Sequence, residues 1–82
     1  MAAVFATQEN MLHVIASCAC RGISGIIGVR KISWMHDVIR MKLLVCAHLF
    51  DGREFRFEYD PHGDRAEQEE IIRAKALLEL TE

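Results

Sequence analysis

The Asp51-Gly52 dipeptide, set between two runs of strand-forming residues, constrains this chain more than any other feature. Asp-Gly between strands favours a tight hairpin, because the turn needs positive φ, which glycine adopts freely and Asp tolerates. Lys42 to Phe50 and Arg53 to Tyr59 are therefore expected to pair as antiparallel strands across a two-residue type I′ turn. A turn of that length sets Phe50 opposite Arg53, His48 opposite Phe55, Cys46 opposite Phe57 and Leu44 opposite Tyr59, and this side is assigned to the core. The other side then carries Leu43, Val45, Ala47 and Leu49 beside Glu54, Arg56 and Glu58. That second apolar row needs a cover. Leu43, Val45, Leu49, Glu54, Arg56 and Glu58 are accordingly the expected sheet face for a partner or a second copy.

Elements on either side of the hairpin follow from periodicity. Met11, Leu12, Val14, Ile15, Cys18 and Ala19 fall on one broad face of a helix spanning residues 8 to 21, with Thr7 as N-cap and Gly22 ending it. Residues 29 to 41 admit two readings. As strands, Ile32 and Trp34 alternate with Lys31 and Ser33, a turn falls at His36-Asp37, and Ile39 and Met41 return opposite Trp34 and Ile32. As a helix over residues 33 to 42, Trp34, Met35, Val38 and Ile39 share a face. Pro61 ends the third strand, and Asp64 with Glu67 opens a last helix from Arg65 to about Leu80. Its apolar residues form two stripes: Ile71, Ala74, Leu77 and Leu78, and beside them Ile72, Ala76 and Leu80. The fold expected is one α+β domain over residues 1–82 in the order helix, three-stranded antiparallel meander, helix. With residues 33–42 helical it becomes α-α-β-β-α.

At 82 residues there is room for a single modest core, yet apolar residues make up 51% of the chain. Surplus apolar surface, and with it a homodimer, is expected. Apolar stretches such as Leu43 to Leu49 are too short to span a bilayer, and a soluble, cytoplasmic protein with no membrane partner is expected. Charge is divided along the chain: five basic against two acidic side chains in residues 1 to 50, and five against ten in residues 51 to 82.

Little in the sequence marks catalysis or a cofactor. Three cysteines cannot all pair within the chain and are read as reduced thiols. Zinc is set aside because Cys18 and Cys20, one residue apart on a helix, point about 200° from each other, and because Cys46 and His48 lie on the face assigned to the core. No nucleophile elbow or phosphate-binding glycine loop occurs. No cofactor is expected, and the chain is read as non-enzymatic.

Two nucleic-acid-binding families supply the competing reading. The order helix, three strands, helix resembles the double-stranded RNA-binding domain, and Arg73-Ala74-Lys75-Ala76 is similar to the basic second helix of that family. Glu67, Glu69, Glu70 and Glu79 depart from it, since carboxylates there repel phosphate. In the alternative topology Gly22-Ile23-Ser24-Gly25 resembles the GxxG loop of a KH domain, with Arg21, Arg30, Lys31, Arg40 and Lys42 as a basic patch around it. The preferred expectation is a non-catalytic module that docks on a larger protein or complex through the sheet face or the acidic residues Asp60, Asp64, Glu67, Glu69 and Glu70. Blocking a nucleic-acid-handling machine, in the manner of phage-encoded inhibitors such as anti-CRISPR proteins, would be one such role.

Overall fold

A computed structural model describes the backbone of residues 2–81 and the side chains of residues 8–81. Five elements follow in the order α1 (Ala2–Cys20), β1 (Val29–Asp37), β2 (Lys42–Leu49), β3 (Glu54–Tyr59) and α2 (Arg65–Leu80). The strands form one antiparallel sheet in the order β1-β2-β3. This is the α+β meander between two helices expected from the sequence. The reading of residues 33–42 as a helix is overturned: residues 29–37 form a strand paired with β2, from Val29 opposite Leu49 to Asp37 opposite Lys42, with one bulge between Val29 and Lys31.

Three boundaries differ from expectation, each for a local reason. Helix α1 begins at Ala2, so the backbone at Thr7 is helical interior and not a cap; the alanines at positions 2, 3 and 6 are the strongest helix formers and carry the helix back past it. The first hairpin turns at residues 38–41 and not at His36-Asp37, so Trp34 pairs with Val45 and Ile32 with Ala47. Asp37 makes that turn by accepting a hydrogen bond from the Arg40 N–H (3.2 Å), and Met41 takes φ +58° to close it. Ile39 is left 93% exposed at the tip.

The third difference decides the character of the sheet. The second hairpin has a three-residue loop, Phe50-Asp51-Gly52: the Gly52 N–H donates to Leu49 O (3.1 Å), and the Leu49 N–H to Arg53 O (2.9 Å). Glycine is needed at position 52, where φ is +94°, but it ends a longer turn than the type I′ turn expected. The Asp51 carboxylate accepts from the Arg53 N–H (2.9 Å) and from its Nε (2.8 Å) and is thereby held below the usual carboxylate range.

One extra loop residue shifts the register by one and exchanges the two faces of β2. Leu43 now pairs with Tyr59, Val45 with Phe57 and Ala47 with Phe55. All six are buried, as is Leu49, and the rings of Phe55 and Phe57 lie 5.5 Å apart. Both helices cover this face: α1 contributes Leu12, Ile15, Ala16, Ala19 and Cys20, and α2 contributes Ile72, Ala76 and Leu80. Burial pushes the Cys20 thiol pKa up, with the Arg53 charge partly opposing.

Helix α2 is fixed at both ends. Asp64 caps it by accepting from the Glu67 N–H (3.2 Å), and the Gln68 amide brackets Asp60, accepting from its N–H and donating to its carbonyl. At the other end Arg53 donates to the Leu80 carbonyl (3.2 Å). Of its two apolar stripes, Ile72, Ala76 and Leu80 pack inward, while Ile71, Ala74, Leu77 and Leu78 are exposed.

Candidate functional site: the open face of the sheet

Because both helices pack on one face of a three-stranded sheet, no layer formed by the described residues covers the other face. Its middle row is Leu44, Cys46 and His48 on β2, all half-buried. Ser33 and Met35 flank that row from β1, opposite Cys46 and Leu44, and Glu54, Arg56 and Glu58 flank it from β3. Met35 is 61% exposed. Leu43, Val45 and Leu49, expected on this surface, are withdrawn into the core by the register change, whereas Glu54, Arg56 and Glu58 stand on it as expected.

Polar contacts on this face are specific. His48 lies between two partners, with Nε2 3.0 Å from Ser33 Oγ and Nδ1 3.3 Å from Glu54 Oε2. Arg56 holds the other carboxylate oxygen of Glu54 at 2.9 Å. Farther along, Glu58 receives Arg40 at 2.8 Å and Lys42 at 3.6 Å. The result is a small apolar centre at Met35 and Leu44 inside a rim of both charge signs.

A hydroxyl, an imidazole and a carboxylate in a row can activate a nucleophile, but acyl transfer also needs donors aimed at the developing oxyanion. Ser33 lies within a strand whose backbone is paired with β2, and both helices pack on the opposite face of the sheet. Among the described residues nothing forms that second half of a hydrolytic site.

The acidic patch is largely engaged in local structure. Asp60 accepts from the His62 N–H (2.9 Å), Asp64 caps α2, and Glu69 pairs with Arg65 one turn away (3.2 Å). Glu67 and Glu70 complete the patch along the first turns of α2, both exposed.

The basic residues do not converge. Arg21, Arg30 and Lys31 lie near the Val29–Leu49 end of the sheet, while Arg40 and Lys42 lie at the Asp37–Lys42 end, eight residues along β1 and so about 26 Å away. Arg40 and Lys42 are paired with Glu58 there. Gly22 and Gly25 take positive φ in a loop that joins a helix to a strand, and Ile23 between them is buried. The cations of Arg73-Ala74-Lys75-Ala76 are held within the fold: Arg73 donates to the Cys18 carbonyl at the end of α1 (3.2 Å), and Lys75 to the Arg56 carbonyl on the β3 edge (2.6 Å).

Cys46 and His48 are the site residues that sequence reasoning misplaced. The signal that could have found them is chemical: of the two β2 rows, Leu43/Val45/Ala47/Leu49 is wholly apolar, whereas the other contains His48, and the wholly apolar row belongs with Phe55, Phe57 and Tyr59. No helix among the described residues is long and apolar enough to cross a membrane. No protein-family model, curated protein or solved structure matches this chain.

Proposed function

We propose that the chain is a non-catalytic protein-interaction module whose docking surface is the open face of the sheet. One observation carries this reading: a sheet with one face fully packed leaves on the other an apolar centre, Met35 and Leu44, ringed by Lys42, Glu54, Arg56 and Glu58. Apolar centre and charged rim are the anatomy of protein interfaces, where the centre supplies affinity and the rim orientation. The acidic stretch Asp60 to Glu70 is the weaker surface, because three of its carboxylates already serve turns, caps and pairs. RNA binding is disfavoured by the divided basic residues and by the structural use of Arg73 and Lys75. A module of this kind acts by occupancy, and inhibition by covering a nucleic-acid-handling surface falls within that mode.

The occupant is a larger protein, and self-pairing is the alternative that sizing detects. The test is capture of partners from the native host with wild-type protein, with Leu44→Glu, and with the double variant Asp64→Lys, Glu67→Lys, all checked for folding by circular dichroism. Loss of the captured protein with Leu44→Glu and retention with the double variant is expected. The reverse pattern moves the surface to α2, and a dimer by light scattering that Leu44→Glu dissolves makes the occupant a second copy.

A further inference from the structure

The same face holds a cluster that the sequence reading set aside for a reason the register removes. Cys46 and His48 are two apart on β2 and therefore share a side, and Glu54 stands directly across from His48 on β3. A thiol sulfur, an imidazole nitrogen and a carboxylate oxygen from these three lie within 4.8 Å of one another. We propose that Cys46, His48 and Glu54 form a zinc-binding site with three protein ligands and a fourth position open to water.

Geometry and donor chemistry both support this. Zinc bonds of about 2.0 to 2.3 Å in a tetrahedron place ligand atoms about 3.3 to 3.6 Å apart. His48 Nδ1 and Glu54 Oε2 are already 3.3 Å apart, and side-chain rotation of Cys46 by roughly 1 Å closes the set. Strand backbones fix the three Cα positions, so little ordering is left for binding to impose. The neighbours are those a histidine ligand uses: when His48 donates its Nε2 hydrogen to Ser33 Oγ (3.0 Å), Nδ1 is left with its lone pair toward the cluster. In that tautomer Nδ1 and the Glu54 carboxylate are two acceptors face to face, an arrangement that a shared cation stabilises. Arg56 orients Glu54 through the other oxygen (2.9 Å). A thiolate and a carboxylate together neutralise a divalent ion, and a mixed sulfur, nitrogen and oxygen set suits zinc over magnesium or calcium.

The experiment uses the whole chain, reduced, stripped with chelator and titrated with Zn²⁺ against a chromophoric competitor, with Co²⁺ as the spectroscopic probe. One equivalent of zinc, with a thiolate-to-cobalt charge-transfer band, is expected. Cys46→Ser and the isosteric Glu54→Gln should each weaken binding at least tenfold, Ser33→Ala about ten- to a hundredfold, and Cys18→Ser not at all. Absence of saturable one-to-one binding, a cobalt spectrum without the thiolate band, or wild-type affinity in folded Cys46→Ser overturns the site. This inference does not rest on the docking reading, because the titration needs no partner. Leu44→Glu, which changes no ligand, separates the two.

Discussion

Replacing Leu43 and Leu44 by alanine, one at a time, measures directly which face of β2 is the interior. The residues are adjacent, identical in type and in the same central strand, so what separates them is the face each occupies and the packing it meets there. Leu43 is 2% exposed and packs into the core, where removing a leucine side chain costs about 3 to 5 kcal/mol through lost transfer energy and the cavity left behind. Leu44 is half-buried on the open face; its truncation removes roughly a third to a half of that apolar area and leaves no enclosed void, for a cost of about 1 kcal/mol. A domain of this length has a total stability of roughly 4 to 12 kcal/mol. The Leu43→Ala loss is therefore a large share of it. In urea, with a slope of about 1 kcal/mol per molar for so small a protein, the midpoint should fall by about 3 to 5 M for Leu43→Ala and about 1 M for Leu44→Ala. Equal shifts, or a larger one for Leu44→Ala, would refute the three-residue turn and restore the two-residue register.

Other perturbations test single contacts. Gly52→Ala should cost about 1 to 2 kcal/mol by urea denaturation, from backbone strain alone, because φ is +94° and nothing lies within 4 Å of the added Cβ. Asp64→Ala removes the cap of α2 and should cost about 1 kcal/mol, whereas Asp64→Asn or Asp64→Ser should keep most of it. The Asp51 carboxyl is lowered by Arg53 in the folded state, so its stabilisation is present above the ordinary carboxyl pKa of 3.8 and is lost as pH falls through the lower folded value. Urea midpoints measured from pH 6 down to pH 2 should therefore fall less steeply in Asp51→Asn than in the wild type, and a parallel acid limb would show that the Arg53 contacts carry no such stabilisation.

Element type was legible in the sequence wherever one residue carried a single meaning. Asp64 and Glu67 marked the start of α2, Pro61 the end of β3, and the spacing of Phe55, Phe57 and Tyr59 gave that strand its inward face. Register was not legible, because Gly52 at positive φ serves a two-residue and a three-residue turn alike, and Phe50, 57% exposed in the loop, looks like one more strand residue. The first turn carries no glycine or proline: Val38, Ile39 and Met41 are residues of strands or helices, and only Asp37, through its bond to the Arg40 N–H, signals the bend. The candidate site inherited the register error entirely. Cys46, His48 and Glu54 were placed on opposite sides of the sheet, so their meeting could not be seen until the loop length was known.

The reversal point of the second hairpin decides which chemistry the sheet shows to solvent. With Phe50 drawn into the loop, Leu49 meets Arg53 across it, whereas the same residues turning at Asp51-Gly52 alone would set His48 against Phe55 and Cys46 against Phe57, in place of Ala47 and Val45. The placement of Phe50, more than side-chain identity in the strands, thus governs whether Cys46 and His48 meet solvent or oil. Trimming the loop while Leu49 stays opposite Arg53 would leave both faces untouched, so the surface chemistry of this protein tolerates a shorter tip but not a slipped one.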